Sequence, residues 1–159
     1  MVKYSYYPGN VARQSSAEVE DTIQPLCKTL GIELIEIIGY NSDGGNIIKQ
    51  GNRDLQLALN ARNIALAEKN GHDIITACAS SQGILHETLD TFRKDPIALA
   101  DANRVVEKTT GMTLSGDISS SHLFFYFTCI VFKFLQKPFF YSHYITICWS
   151  SAKHLPNIF

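Results

Sequence analysis

The sequence predicts an α/β fold, a parallel sheet with helical crossovers, and three observations lead there. Short β-branched or aromatic runs alternate with longer stretches of helical apolar spacing, so the order reads β-α-β-loop-α-β-α-α. Turn-forming residues collect just after the strands. Strands separated by helices pair in parallel, because the crossover needs that length of chain.

Lys3 to Tyr7 is aromatic-rich and stops at Pro8-Gly9, which predicts a strand ending in a turn. Ser15 or Ser16 then caps a helix whose first turn carries Glu18, Glu20 and Asp21, acids suited to the positive end of the helix dipole. Val19, Ile23, Leu26 and Leu30 give its apolar spacing, and Gly31 closes it. Pro25, in mid-pattern, predicts a kink or an irregular turn, and Cys27 reads as a small packed side chain. Ile32 to Ile38 reads as a buried strand that opens into the turn formers Gly39 to Asn46.

Asp54 to Asn70 is the clearest helix, with Leu55, Ala58, Leu59, Ala61, Ala65 and Leu66 as its apolar face and Gly71 as its stop. Asp73 to Ala77 is a short strand delivering Cys78. Ser80 or Ser81 caps the next helix, to Lys94, and Pro96 opens another through Ile97, Val105 and Val106 to Gly111. In such sheets the loops after the strands gather at one edge. Three would meet there: Pro8 to Arg13, Tyr40 to Asn46 and Cys78 to Gly83.

Composition narrows the functional classes. The chain has 159 residues, 14 basic and 15 acidic side chains and a net charge of −1, which gives no reason to expect nucleic acid as a partner. The charge is unevenly placed: all 15 acids lie between Glu18 and Asp117, while eight of the nine Phe and the single Trp follow residue 120. This divides the chain into 1–117, an α/β domain, and 118–159, an aromatic-rich carboxyl-terminal appendage. Cys27, Cys78, Cys129 and Cys148 show no C-x-x-C spacing, and the amino terminus lacks the apolar core of a secretory signal. A reducing cytoplasm without structural disulfides is the expectation.

Several motifs are excluded. Asp43-Gly44-Gly45-Asn46 lacks the Lys of a phosphate-binding loop and reads as a glycine turn, and Ser80-Ser81-Gln82-Gly83 lacks the early glycine of a nucleophile elbow. His72 and His86 read as surface or locally bonded side chains. Cys78, between a strand and a helix amino terminus, is the candidate for thiol chemistry, although position 81 offers no resolving Cys.

The same loops carry a family resemblance. Tyr-Tyr-Pro-Gly-Asn (6–10), Leu-Gly-Ile-Glu-Leu (30–34), Asn-Ser-Asp-Gly (41–44), the run from Ala58 to Lys69 and Cys-Ala-Ser-Ser-Gln-Gly (78–83) resemble the cysteine-rich CCG domain. That domain is typified by the B-type subunit of heterodisulfide reductase and also occurs in succinate dehydrogenase-like and sulfur-oxidising complexes. The match covers residues 2 to about 115, one repeat of a family that usually has two. Its motif reads Pro-Gly-Cys, then Cys-Cys-Gly, then Cys-x-x-Cys. On this chain the resemblance places Asn10, Ser42, Asp43, Cys78 and Ser81 at the cysteine positions, with 31 residues between Asn10 and Ser42 and 34 between Asp43 and Cys78.

The resemblance implies an oxidoreductase or electron-transfer subunit that uses an iron–sulfur cluster for disulfide or sulfur-compound redox chemistry, beside ferredoxin-type and flavin subunits. Such clusters are held by thiolates, which amide and alcohol oxygens replace poorly. With Cys78 the one sulfur left, this chain is expected to hold no cluster or other metal by itself and not to be catalytic alone. A non-catalytic scaffolding subunit and a truncated, non-functional homologue are the alternatives.

The appendage leaves three readings open. Leu123 to Leu135 is 13 residues long with Lys133 inside it, short of the ~20 that span a bilayer. A transmembrane helix, a packed or interfacial hydrophobic segment, and the product of a frameshift or read-through each account for its composition.

Overall fold

Strand β1 (Val2–Tyr7) occupies an inner position, and its residues from Tyr4 to Tyr7 are buried. In this computed structural model, which describes residues 1–12, 16–124 and 127–128, Tyr4 and Tyr6 enter one core while Tyr7 enters the other. β1 pairs in parallel with β2 (Ile32–Glu36) from Val2↔Ile32 to Tyr6↔Glu36. On its other side it pairs in parallel with β3 (Ile74–Thr76), from Ser5↔Ile74 to Tyr7↔Thr76. A fourth strand, β4 (Ser120–His122), adds in parallel to β3, and the order is β2-β1-β3-β4. The expected α/β architecture is present.

β2 is an edge strand and only half-buried, shorter than the expected buried strand to Ile38. Its chain turns after Ile37, where Tyr40 N–H donates to the Ile37 carbonyl. Ile37 therefore stays in the core while Ile38 is 83% exposed.

The first crossover holds α1 (Gly9–Ala12) and α2 (Ala17–Thr29). Helix α2 runs through Pro25 without a break, because Pro25 and Asp21, whose carbonyl loses its donor, both lie on the exposed side. Its buried residues are Ile23 and Cys27, whereas Val19 and Leu26, assigned to the apolar face from spacing, are largely exposed. Ser16 holds the N-cap position but its side chain makes no cap hydrogen bond.

The turn formers after β2 lead directly into a short helix, α3 (Gly45–Gly51), where the sequence suggested only loop. Asn52 caps α4 (Arg53–Asn70) by accepting from Leu55 N–H. The buried face of α4 differs from the expected one: Gln56, Asn60 and Asn63 are buried beside Ala61, Ile64, Ala65 and Ala67, and Leu55 is exposed. Cys78, not Ser80 or Ser81, is the N-cap residue of α5 (Ala79–Lys94), and both serines lie in the first turn. Asp95 caps α6 (Pro96–Thr110) by accepting from Ile97 and Ala98 N–H. In α6 the buried residues are Ala102 and Val106, while Ile97 and Val105 face solvent.

The sheet is covered on both faces. One core packs Tyr7, Ile37 and Ile74 against Ile64 of α4, Leu85, Leu89 and Phe92 of α5 and Val106 of α6. The other sets Tyr4, Tyr6, Ile32 and Ile75 against Ile23 and Cys27 of α2 and Leu123 beyond β4. Burial of these side chains contributes on the order of 2 kcal/mol each. β4 and Leu123 lie past residue 117, so the sheet continues across the boundary drawn from composition. Most of the run from Leu123 to Leu135, with Cys129 and Cys148, lies outside the described residues. Among the described residues, no helix is long and apolar enough to cross a membrane.

Candidate functional site

In the order β2-β1-β3-β4 the chain departs to opposite sides after β1 and β3, so their carboxyl ends flank the switch point where doubly wound sheets gather ligands. The loops after β1, β2 and β3 meet here. Gly9 is the contact between the first and third: with φ +80, a Cβ on it would stand 2.6 Å from Cys78 Cβ and 2.9 Å from Ser81 Oγ. Only glycine allows the backbone after β1 to approach the start of α5 this closely.

Asp43 sits at the centre of the cluster. It is 1% exposed, and its carboxylate accepts from Ser81 Oγ at 2.5 Å, from Asn10 Nδ2 at 3.2 Å and from Gly45 N–H at 2.8 Å. These three partners are all neutral donors, one from each loop. A carboxylate taken out of water needs such donors, since an uncompensated buried charge is strongly destabilising. Asn10, Asp43 and Ser81, which the sequence reading set at cluster positions, are therefore joined in one hydrogen-bonded group. Ser42 is exposed, and its hydroxyl accepts locally from Gly44 N–H. Among the described residues no hydrogen bond links it to the other four.

Helix α4 holds the middle loop through polar side chains. Asn63 Oδ1 accepts from Asn41 N–H at 2.9 Å and its Nδ2 donates to the Asn41 carbonyl at 2.9 Å. Asn60 Nδ2 donates to the Asp43 carbonyl and to the Gln56 carbonyl, and its own Oδ1 is buried with no partner among the described residues. Arg62 donates to the Gly39 carbonyl and to Asn41 Oδ1. From β1, Tyr7 donates its hydroxyl to the Asn41 carbonyl and packs edge-on against Tyr40 at 5.1 Å. Burial first, then the nearby Asp43 charge, raises the Tyr7 pKa far above its ordinary value and keeps the phenol neutral. These positioning residues were missed from sequence, although the amides at 56, 60 and 63 fall on one helical stripe.

Cys78 is 8% exposed, and its Sγ lies 3.1 Å from Ser80 Oγ. Burial opposes the thiolate, but the hydroxyls and backbone N–H groups of Ser80 and Ser81 outweigh it, and the pKa falls below the ordinary thiol value. The thiol borders a cavity of about 280 Å³ lined also by Ala12, Ser16, Val19, Ala77 and Ser80. Cys27, in the apolar core, is pushed up to about 11 by burial. Next to this end of the sheet, His122 Nδ1 accepts from Phe124 N–H, which leaves Nε2 to donate to the Ala77 carbonyl at 3.0 Å. His86 is exposed and His72 half-buried.

The donor set does not suit an iron–sulfur cluster. Four of the five positions offer amide, hydroxyl or carboxylate oxygen, and the carboxylate is already occupied by three donors. Among the described residues no three His, Cys, Asp or Glu side chains gather where one metal ion could be shared. The arrangement can orient a single activated thiol beside a cavity and hold three loops in register.

A doubly wound α/β sheet with a polar loop cluster at its switch point defines the class. Within it, the chain is similar to subunits of redox complexes. It is 31% identical over 116 residues to the 8-methylmenaquinol:fumarate reductase membrane anchor subunit of Wolinella succinogenes, covering 70% of this chain and 41% of that one. It is 28% identical over 124 residues to a protein of Archaeoglobus profundus named as like the B-type subunit of heterodisulfide reductase, covering 77% and 41%. The B-type subunit of the Ferredoxin/F(420)H(2)-dependent CoB-CoM heterodisulfide reductase of Methanosarcina acetivorans matches at 26% over the same shares. The chain thus spans about 41% of the length of these curated relatives, and their names support a redox-complex subunit at the level of family. No protein-family model matches. The crystal structure of a hypothetical protein from Helicobacter pylori shares the fold, with a TM-score of 0.68 at 17% identity over 76% of this chain and 24% of that one.

Proposed function

We propose that the chain is a member of a multi-subunit redox complex, like the B-type subunit of heterodisulfide reductase, built on one CCG-type repeat whose cluster ligands have mostly been replaced. Asn10, Ser42, Asp43, Cys78 and Ser81 stand at the ligand positions of that family, and the chain by itself binds no cluster and performs no catalysis. Its role is to dock with ferredoxin-type and flavin subunits in the cytoplasm. The observation that carries this reading is the convergence of Asn10, Asp43 and Ser81 on one another, with Cys78 against Gly9, at the carboxyl end of the sheet. Support comes also from the relatives, each named as a reductase subunit or as like one.

The test is co-expression with flavin and ferredoxin-type reductase subunits encoded beside it, followed by purification and iron analysis. A complex that forms equally well with Cys78→Ser, and in which this chain isolated afterwards carries no iron, is the expected result. Failure to assemble overturns the subunit role. Stoichiometric iron on the isolated chain after anaerobic reconstitution overturns the loss of the cluster.

A further inference from the structure

We infer that Asp43 is a metal-independent latch, whose carboxylate ties together the three loops that the resemblance assigns to a cluster, so that this end of the sheet closes without iron. The inference rests on the correspondence of positions proposed above, and it explains the mismatch between those positions and the donors found there. A cluster cross-links loops distant in sequence through covalent bonds to sulfur. Here one carboxylate makes the same connections: Asn10 lies 33 residues before it and Ser81 lies 38 after it, and both donate to it.

The carboxylate is held from behind as well as in front. Asn60 fixes the Asp43 carbonyl and Asn63 fixes the main chain of Asn41, so the latch projects from an anchored backbone. Gly45 N–H binds the same carboxylate oxygen as Asn10, joining the latch to the start of α3. Gly9 lets the first loop come within contact of Cys78 and Ser81. An open cradle awaiting a metal ion would leave these polar groups without partners; here Asn10, Gly45 and Ser81 all donate to the buried Asp43 carboxylate.

The full chain is melted with and without chelator, and again after anaerobic treatment with iron and sulfide. A cooperative melt whose Tm moves by less than about 2 °C among the three is expected, since nothing in the latch binds metal. Asp43→Ala lowers Tm by roughly 10 °C, Ser81→Ala by roughly half that, and the double variant falls no more than about 2 °C below Asp43→Ala, as coupled partners require. Should Asp43→Ala fail to fold, hydrogen exchange of Ser81→Ala decides: amides 41–45 and 9–12 exchange faster together with those of its own loop. A Tm raised several degrees by iron, strictly additive variants, or exchange confined to residues 78–82 each overturns the latch. A latch that passes while co-purification fails removes the complex and leaves the latch; an iron-stabilised chain that still assembles does the reverse.

Discussion

A thiol at the start of a helix differs from a thiol in a core, and this chain contains both. Cys78 meets two serine hydroxyls and their N–H groups, whereas Cys27 lies in the apolar core between α2 and the sheet. Lowering the pKa of a thiol extends the thiolate to lower pH, and raising it confines the thiolate to alkaline solution. Alkylation of the full chain with iodoacetamide across a pH series, read by peptide mapping, should therefore give Cys78 a midpoint below that of an ordinary thiol. Cys27 should lag toward its value of about 11. Ser80→Ala should move the Cys78 midpoint upward; an unchanged profile would remove that hydroxyl as a cause. For Tyr7 the sign is opposite in consequence: its raised pKa means the folded chain keeps a proton that the unfolded chain loses above pH of about 10. Its contribution to stability is complete below that pH and declines as pH rises. Alkaline melts should show a shallower decline in Tyr7→Phe than in the parent, and parallel curves would refute it.

At the scale of the element, α4 is the informative case, because its buried stripe is partly polar. Gln56, Asn60 and Asn63 would be errors on a helix packed only against apolar side chains. Two of them reach the main chain of the loop after β2: Asn63 pairs with Asn41 and Asn60 donates to the Asp43 carbonyl, which places Asp43, while Asn60 Oδ1 has no partner among the described residues. Asn63→Ala leaves the Asn41 N–H without that partner and its carbonyl with one donor fewer, so a loss of about 2–3 kcal/mol is expected in urea melts. Arg62→Ala, on the half-buried flank, should cost about 1 kcal/mol. Equal costs would mean that the amide stripe has no special part in holding the loop. α3 has a related origin: Asp43 satisfies Gly45 N–H, so residues read as a loop begin a helix.

At the scale of the whole molecule, the sheet joins segments that composition separates. β4 follows the last acidic residue, yet it pairs with β3 from Ile74↔Ser120 to Thr76↔His122, and Leu123 seals the core of Tyr6 and Ile75. Glu68 of α4 adds a second tie, accepting from Ser115 N–H and Gly116 N–H in the connection that leads to β4. A chain ending after residue 117 loses that strand and uncovers one edge of β3. It should be at least about 3 kcal/mol less stable than a chain ending after residue 128, from lost apolar burial and lost ladder hydrogen bonds. Equal melting of the two would show that β4 is dispensable.

The local pattern by itself determined the class of fold, the order of β1, α2, β2, α4, β3, α5 and α6, the stops at Gly31 and Gly71, the helix start at Pro96, and the meeting of three loops at one edge. Each of these follows from periodicity and turn chemistry, which act over a few residues. Only the tertiary structure decided that β2 is an edge strand, that Val19 and Leu26 face water, and that the sheet gains a strand beyond residue 117. It also decided that Asn10, Asp43 and Ser81 bind one another while Ser42 stays outside. Their separations in sequence are far longer than any helical or strand period, and a buried carboxylate finds its donors only when the packed sheet has brought those loops together.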